Sequence, residues 1–392
     1  MKSRTRPAFS VAAILRNESR ALPRLLDSLA DFRSRGGEVV VLDTGSSDET
    51  VSIATEAGCV VARAPRRFNR VLTAEQAERI SALLSKNGES FAKTGDRIFN
   101  FAGARNAADA LARKNFVMAV DGCDIVEAMD VEFIDAHVRA NDAAILLFET
   151  RRLHRGHWVL ELRDYLHDRR RVRWFGRAHN QIVPARPNQH PRGVPLPPDR
   201  LRVTHHTDES KQRGHQLTGM ALDVLESPHA SQRRLVLGHE LFARGFVHSA
   251  LSLFEGLDQE GVSRSVRSVA LSMAALCLAR LRGPSDEAVT DLLFRAARRD
   301  PGHRDPLLQL ARLSLEAGGF QAAASFAMAA LAIPPRVTFT QLEENLRDGP
   351  HAILYWALLW LGRPAEAREH HRICITMDPA NPVYRDHARL LA

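Results

Sequence analysis

The feature that most constrains the fold is a short apolar run that ends abruptly at an acid. Val39–Leu42 is followed by Asp43 and then by small and hydroxyl-bearing residues, Thr44–Ser47, that lead into a predicted helix. A second run, Phe116–Val120, ends at Asp121-Gly122-Cys123-Asp124. This pattern is typical of parallel strands that carry carboxylates to their carboxyl ends, where open α/β sheets bind ligands. The two acidic strand ends therefore predict a nucleotide and metal site.

Residues 8–150 alternate short apolar runs with amphipathic stretches, and this βαβ rhythm predicts a Rossmann-like, mostly parallel sheet. The predicted strands are Phe9–Leu15, Val39–Leu42, Val60–Ala62, Phe116–Val120 and Ala144–Phe148, and the predicted helices lie near 20–33, 49–57, 103–113 and 129–140. An insertion at about 71–99 interrupts the rhythm with an extra helix over Thr73–Lys86. It is either a lid or acceptor-binding segment, or an excursion without a role.

The pattern is less regular from about 150 to 210, a region that we assign to the acceptor side of the site. It holds the strand-like pieces Trp158–Leu162, Gln181–Pro184 and Leu201–His205 around a proline-rich loop at 184–198, and a helix is predicted over 211–225. Loops of that length in a compact domain are usually functional or mobile.

From Ser231 to the end, the pattern is wholly helical, and one phrase recurs. Its variants are Arg244-Gly245-Phe246 with Ala250, Gly318-Gly319-Phe320 with Ala323, and Leu361-Gly362-Arg363 with Ala367. In each, glycine permits a reversal between two helices and alanine permits close packing. The phrase resembles the tetratricopeptide repeat; the alternative is a helical domain without true repeats. These patterns divide the chain into an α/β domain over 1–230 and an all-α, tetratricopeptide-like domain over 231–392.

Composition excludes several other classes of protein. No apolar run approaches the roughly 20 residues needed to cross a bilayer. The four cysteines are far apart in the sequence, which suits a reducing cytoplasm and argues against a cysteine zinc site. The net charge of +8 includes the arginine-dense blocks 63–67 and 169–173. These blocks either bind the phosphates of a nucleotide or larger polyanion, or form a solvated face.

Five motifs, taken together in this order, resemble the family 2 glycosyltransferases with a GT-A fold, in the bacterial branch that carries C-terminal tetratricopeptide repeats. The resemblance covers about residues 8–225, and the repeats extend it to the end. The matching words are Ile14-Leu15-Arg16-Asn17-Glu18, Leu42 to Thr50, Ala104-Arg105-Asn106, Val120-Asp121-Gly122-Cys123-Asp124 and Gly176-Arg177-Ala178-His179-Asn180.

The resemblance implies a nucleotide-diphosphate sugar as donor. The residues that it implies for donor binding are Asn17, Glu18, Asp43, Ser46, Asp48, Arg105, Asn106, Lys211 and Arg213. Three of them have an alternative. Asn17 is also a residue type that caps helices, Asp48 also places an acid in the first turn of its helix, and Arg105 is alternatively a surface arginine. A guanidinium at Arg105 suits bidentate binding of the diphosphate, aided by the amino end of its helix.

For the metal, Mn²⁺ or Mg²⁺, the resemblance implies Asp121, Asp124 and His205. A hard cation there stabilises the charge that develops on the departing diphosphate. Cys123 replaces the middle acid of the family's motif, and a thiol is a poor ligand for either ion. Weakened or absent metal dependence is therefore one of the expectations.

Inversion at the sugar carbon needs a base for the acceptor's proton. The related branch places a glutamate where this chain has Asn180, which cannot serve. Either another acid substitutes, or the acceptor needs little activation, or the enzyme is impaired. Glu149, at the predicted end of the Ala144–Phe148 strand, is the first candidate, with Asp164 as another; His179 orients the acceptor or lines the metal site.

The sequence thus predicts a cytoplasmic glycosyltransferase that moves a sugar to a macromolecular acceptor, a protein, peptide or other polymer, held partly by the helical repeats. Two alternatives stay open: a binding scaffold with impaired catalysis, and a transferase acting on modified nucleic acid.

Overall fold

The structure is a computed structural model, and it describes residues 6–85, 91–140, 142–154, 157–206, 214–227, 229–337 and 340–391. The chain divides into two compact units, the first ending at Glu226 and the second holding the described residues from Ser227 onward together with Leu84 and Ser85. Among the described residues, no helix is both long enough and apolar enough to cross a membrane.

The first unit contains both strands and helices. Its strands are β1 (Phe9–Leu15), β2 (Glu38–Asp43), β3 (Val60–Arg63), β4 (Asn69–Val71), β5 (Arg97–Phe99), β6 (Phe116–Val120), β7 (Asp124–Met129), β8 (Ile145–His154), β9 (His157–Asp168), β10 (Val172–Phe175), β11 (Gln181–Pro184), β12 (Gly193–Pro195) and β13 (Leu201–His205). Its described helices are α1 (Leu22–Ser28), α2 (Ala30–Ser34), α3 (Thr50–Glu56), α4 (Ala74–Leu84), α5 (Phe101–Leu111), α6 (Val131–Ala140) and α7 (Gly214–Glu226).

The main sheet has the order β3-β2-β1-β6-β9-β8-β13-β7, with β12 also paired to β8. The strands β3, β2, β1 and β6 are parallel, as predicted. The apolar runs of β2, β1 and β6 are buried between helices on both faces, whereas β3 is exposed or half-buried along its length. The other half is mixed, because β9 runs antiparallel to β6 and β8, and β7 antiparallel to β13. Most of the described strand pairings in this sheet are nevertheless parallel, as predicted, since β13 and β12 both run parallel to β8.

Several predicted elements differ in their bounds. The helix expected near 20–33 is divided into α1 and α2, and the strand expected to end at Phe148 continues to His154. The helix expected from 129 begins at Val131, since β7 occupies Asp124–Met129. The predicted insertion forms the short hairpin-like pair β4–β5 with α4 between the two strands.

The second unit is helical. Its described elements are α8 (Ser231–Ala243), α9 (Val247–Glu255), α10 (Arg264–Arg282), α11 (Glu287–Arg299), α12 (Asp305–Glu316), α13 (Phe320–Leu331), β14 (Thr340–Leu342), α14 (Glu343–Leu346), α15 (Gly349–Trp360), α16 (Pro364–Met377) and α17 (Pro382–Leu391). The main helices pack as consecutive pairs, α8 with α9, α10 with α11, α12 with α13 and α15 with α16.

The three recurring phrases fall at turns within these pairs. Gly245, Gly318 and Gly362 have φ values of 88°, 75° and 70°, a left-handed conformation that favours glycine. The alanines that follow them, Ala250, Ala323 and Ala367, are fully buried where helices meet. The predicted helical hairpins are present, and the physical reasons given for their glycines and alanines hold.

Candidate functional site

The two predicted acidic strand ends lie on either side of β1. In the register of the sheet, Asp43 is opposite Leu15 and Val120 is opposite Ala13, so Asp43 and Asp121 end the strands that flank β1. Two strand spacings separate them, about 10 Å. The carboxyl edge of the parallel half of the sheet therefore presents two carboxylates across one shared strand end.

Asp43 is fully buried and organises the loop that follows β2. Its Oδ1 accepts a hydrogen bond from the backbone N–H of Ser46 at 2.9 Å, and Arg63 lies 3.4 Å from its Oδ2. Asn17, at φ 54°, joins the same loop: its N–H donates to Ser46 Oγ at 2.9 Å, and its Oδ1 accepts from the N–H of Ser47 at 2.8 Å. Asn17 does not cap α1, which begins at Leu22, so that alternative is wrong.

Asp48 ties the loop after β1 to the start of α3. Its Oδ1 accepts from the N–H and hydroxyl of Thr50 at 3.1 and 2.5 Å, and its Oδ2 accepts from the N–H of Ser19 at 3.1 Å. Burial opposes its ionisation, but the hydrogen bonds from Thr50 and Ser19 hold its pKa well below the ordinary value. Both carboxylate oxygens thus have protein donors. Asp48 precedes Glu49, the N-cap residue of α3, so the alternative that it places an acid in the first turn of that helix is wrong.

Glu18 lies against the turn that follows β6. Its N–H donates to Thr50 Oγ1 at 2.7 Å. A Cβ placed on Gly122 would lie 2.7 Å from Glu18 Cγ and 3.0 Å from Leu15 Cδ2, so only glycine lets the two chain segments approach this closely. The structure therefore brings Glu18 next to the Asp121–Asp124 turn, a proximity that the sequence alone did not reveal.

Asp121, Asp124 and His205 form a cluster in which one ligand atom from each lies within 4.8 Å of the others. The turn is closed by the N–H of Asp121, which donates to Asp124 Oδ2 at 2.8 Å, and β13 places His205 opposite Asp124 in β7. His205 Nδ1 is 2.7 Å from Asp124 Oδ1. Burial lowers the pKa of His205, but Asp124, Cys123 and Asp121 outweigh it and raise that pKa to about 10. The imidazole is then protonated at neutral pH.

Two arginines face the same acids. Arg105 Nη2 is 2.7 Å from Asp121 Oδ1, and Arg163 Nη1 lies 3.9 Å from Asp121 Oδ2 and 3.8 Å from Asp124 Oδ2. Burial opposes ionisation of Asp121, yet the charges of Arg105, Arg163 and His205 hold its pKa well below the ordinary value. The predicted metal cluster is thus surrounded by the chain's own cations, and Arg163 is a site residue that sequence reasoning missed.

Arg105 is held by aromatic rings rather than at a helix end. Asn100 caps α5 by accepting from the N–H of Gly103 at 2.9 Å, so the helix begins at Phe101 and Arg105 sits in its second turn. The predicted position at the helix amino end is therefore wrong. The guanidinium of Arg105 is stacked 4.9 Å from the rings of both Tyr165 and Trp174, and its buried Nε has no hydrogen-bond partner.

The next polar residues of α5 bind β9 and β10. Asn106 exchanges two 2.9 Å hydrogen bonds with the backbone of Trp174. One oxygen of Asp109, Oδ2, is 2.9 Å from both His167 Nε2 and Trp174 Nε1. Asn106, predicted to bind the donor, here uses its amide to hold β10 beneath Arg105.

Glu149 is separated from the cluster by the sheet itself. In β8 it is opposite Leu162 of β9, whereas Thr150 is opposite Glu161, so Glu149 and Glu161 lie on opposite faces. Glu149 lies 3.5 Å from Arg202, whereas Glu161 lies 3.8 Å from Arg163 and 3.1 Å from Arg152. Through Arg163, Glu161 is linked to the acids of the cluster, and Glu149 is not.

The Gly176–Asn180 motif forms a tight turn next to this face. His179 is exposed with φ 47°, close enough to Glu161 to influence its carboxylate, and Asn180 Nδ2 donates to the carbonyl of Gly176 at 2.6 Å. Asp164, the other candidate base, accepts from the N–H of Ile182 at 3.4 Å, and burial raises its pKa. Lys211 and Arg213 lie outside the described residues.

The fold and site thus define a mixed α/β unit with an acid and arginine cluster at its strand ends, followed by a unit of paired helices. No family model matches this chain. The search of curated proteins also found no match.

Among solved structures, the chain is similar to a tetratricopeptide-repeat protein of Thermus thermophilus, with 21% identity over 45% of this chain and 89% of that one, at a TM-score of 0.35. It is similar to MamA from Desulfovibrio magneticus RS-1, with 14% identity over 41% and 82% of the two chains and a TM-score of 0.33. It is also similar to YrrB, a tetratricopeptide-repeat protein with an unusual peptide-binding site, with 15% identity over 45% and 82% and a TM-score of 0.33. TM-scores this low support no conclusion about function.

Proposed function

We propose that the first unit transfers a sugar from a nucleotide-diphosphate sugar to a macromolecular acceptor, with inversion at the sugar carbon. The observation that carries this proposal is the meeting of Asp43, Glu18 and the Asp121–Arg105 pair at one carboxyl edge of the sheet. Carboxylates suit the hydroxyls and base N–H groups of a nucleoside, and guanidiniums suit a diphosphate. The spacing of about 10 Å between Asp43 and Asp121 across β1 allows the nucleoside and the diphosphate of one donor to be bound together. The GT-A fold implied by the sequence belongs to this proposal.

In the proposed site, the loop of Asn17, Ser46 and Asp43 holds the nucleoside, and Glu18 lies between it and the Asp121 turn. Asp48 keeps that loop in place, because its oxygens are bonded to Thr50 and Ser19. Arg105 faces the diphosphate, and Asn106 positions it by fixing β10. We include Lys211 and Arg213 as further diphosphate ligands on the sequence resemblance alone.

We assign the role of base to Glu161 in place of Glu149, because Glu161 lies on the face of the cluster. The acceptor atom attacks the sugar carbon, its proton passes to the Glu161 carboxylate, and the bond to the diphosphate breaks with its electron pair on the bridging oxygen. Burial opposes ionisation of Glu161, but Arg163 and Arg152 hold its pKa below the ordinary value. It is therefore ionised at neutral pH, as a base must be. His179, beside it, orients the acceptor.

The predicted Mn²⁺ or Mg²⁺ ion fits the cluster by distance but not by charge. Asp121, Asp124 and His205 offer ligand atoms within 4.8 Å of one another. However, Asp121 is already paired with Arg105 at 2.7 Å, and Asp124 with His205 at 2.7 Å. A metal ligand must be a free carboxylate or a neutral imidazole. No step of the proposed transfer passes through a metal.

The helical unit is proposed to hold the acceptor, a peptide or protein. Its surface carries Trp360, which is 65% exposed and stacked on Phe320 at 5.5 Å between ring centroids. Exposed aromatic rings of this kind suit an extended chain as ligand. The acceptor part of the proposal rests on these rings.

The test is a panel of uridine-, guanosine- and cytidine-linked sugars titrated into the protein by calorimetry, followed by an assay of nucleotide diphosphate release. We expect one donor to bind and to be hydrolysed slowly without acceptor. Asp43→Asn should weaken its binding at least tenfold. Asp142→Asn, at an exposed carboxylate paired only loosely with Arg192, is the matched control and should change nothing. Absence of binding by every donor would refute the proposal.

The scaffold alternative is favoured by one observation. Asn180 replaces the expected glutamate, and its amide closes a turn by donating to Gly176. If this alternative is correct, a donor binds but is not turned over in the wild type. The nucleic-acid alternative has less support, because Arg170 of its arginine block is paired in two hydrogen bonds, at 3.0 and 2.7 Å, with Asp168.

A further inference from the structure

The acids of the cluster are neutralised from within the chain. Asp121 and Asp124 contribute two negative charges, and Arg105 and Arg163 contribute two positive charges at 2.7 to 3.9 Å. Arginine stays protonated in proteins, so this balance does not depend on pH in the physiological range. A divalent cation placed between the acids would meet two guanidiniums at close range, which Coulomb repulsion opposes.

The guanidinium of Arg163 has N–H donors that make no hydrogen bond within the described residues. Its side chain is 11% exposed, and its contacts with Asp121, Asp124 and Glu161 are all ion pairs of 3.8 to 3.9 Å, longer than hydrogen bonds. Within the described part of the chain, its guanidinium makes no hydrogen bond. A buried cation that is charge-paired but not hydrogen-bonded is prepared to bind an incoming anion.

Arg105 lies on the other side of Asp121, and its Nη2 donates a hydrogen bond to Asp121 Oδ1 at 2.7 Å. It is 5% exposed, lies over the Tyr165 and Trp174 rings, and keeps a buried Nε without a partner. The rings fix the plane of the guanidinium, so little conformational entropy is lost when it binds a ligand. The two arginines therefore flank Asp121 as two pre-positioned cations.

We infer that Arg105 and Arg163, rather than a divalent metal ion, supply the positive charge that binds the diphosphate in this site. This inference deepens the proposed function and, for the identity of the anion, rests on it. The acids then act by positioning the guanidiniums. The thiol of Cys123, 3.7 Å from His205 Nδ1, occupies the place of an acid that a metal site would retain.

The first experiment measures Mn²⁺ binding to the full chain by electron paramagnetic resonance. We expect the wild type and Arg163→Lys, which keeps the charge, to show no saturable site. Arg163→Gln removes the charge and should gain at least tenfold in Mn²⁺ affinity. Stoichiometric Mn²⁺ binding by the wild type that is lost in Asp124→Asn would overturn the inference. The wild-type measurement decides this even if Arg163→Gln does not fold.

The second experiment titrates inorganic pyrophosphate by calorimetry in excess chelator. The wild type should bind, Arg163→Gln should bind ten- to a hundredfold more weakly, and Arg163→Lys should lie within a few-fold of the wild type. The matched control is Arg170→Gln, which removes an arginine paired with Asp168 outside the cluster and should leave binding unchanged. Pyrophosphate binding that appears only when Mn²⁺ is added would also overturn the inference.

The two proposals fail in different ways. Metal-free pyrophosphate binding without turnover of any sugar donor would support the arginine site and refute the transferase function. Turnover that requires Mn²⁺ would support the transferase function and refute the arginine site.

Discussion

Replacing Asp109 with alanine should destabilise the first unit strongly, because one carboxylate oxygen holds two buried side chains. His167 is fully buried, Trp174 is 1% exposed, and each places a ring nitrogen 2.9 Å from Asp109 Oδ2. Alanine leaves both N–H groups without an acceptor. An unsatisfied buried donor costs about 1 to 3 kcal/mol, so we expect a loss of about 3 to 5 kcal/mol in unfolding free energy.

Asp109→Asn is the matched control. Its amide oxygen can occupy the position of Oδ2 and accept from both rings, so only the charge is lost. We expect the asparagine variant to lose less than about 1.5 kcal/mol. The comparison separates the hydrogen bonds from the negative charge of the Asp109 carboxylate.

Tryptophan fluorescence would report on both units, because two of the four tryptophans, Trp356 and Trp360, lie in the second unit. The assay should therefore be one that reports on the first unit alone. Amide hydrogen exchange of the peptide covering α5 gives the local opening free energy directly. A loss below about 1 kcal/mol in the alanine variant would refute the reasoning. Equal losses in the alanine and asparagine variants would show that charge, and not hydrogen bonding, holds α5.

Three further predictions follow from single contacts. Gly122→Ala should cost about 1 to 3 kcal/mol by overpacking against Glu18 and weaken donor binding, whereas Gly219→Ala, whose Cβ meets atoms only at 3.5 Å or beyond, should be neutral or stabilising in thermal unfolding. Glu161→Gln should lower kcat by about 10²- to 10⁴-fold with donor affinity unchanged in calorimetry, and a change in affinity alone would contradict its role as base. The hydrogen bonds and charges from Arg295, Arg267 and Arg299 outweigh burial and lower the pKa of Asp258 to about 2, below its unfolded value of about 3.9. The resulting stability is present above pH 4 and is lost as pH falls toward 2, so Asp258→Asn should cost about 1 to 2 kcal/mol in urea unfolding at pH 7 and nearly nothing at pH 2.

The parallel half of the sheet could be predicted because local sequence patterns specify its strands. Val39–Leu42 and Phe116–Val120 are buried on both faces, which requires uninterrupted apolar runs, and each ends where a polar residue must face the ligand edge. The glycines of the helical hairpins could also be predicted from local sequence, since a positive φ at a turn depends on one residue.

The second half of the site could not be predicted in this way. The sequence indicates Glu149 because the apolar run stops at Phe148. In the structure, β8 continues through charged residues to His154, and Glu149 is mid-strand on the face opposite to Glu161. Glu161 and Arg163 alternate with Leu160 and Leu162, a pattern that indicates a strand with one solvated face. A register shift between β8 and β9 near Leu146 sets which face they occupy, and such a shift depends on pairing between distant segments.

This difference bears on how the site works. The acids that the sequence reveals lie at strand ends, where any α/β sheet would present them, and by themselves they suggest a metal ion. The arginines that complete the site come from the second turn of α5 and the middle of β9, and they reach the same acids at 2.7 to 3.9 Å. The acids are thus expected both in a metal site and in an arginine site that binds an anion. The arginines distinguish these two interpretations. Replacement of the cation at Arg163, rather than of any acid, is therefore the change that tests what the cluster binds.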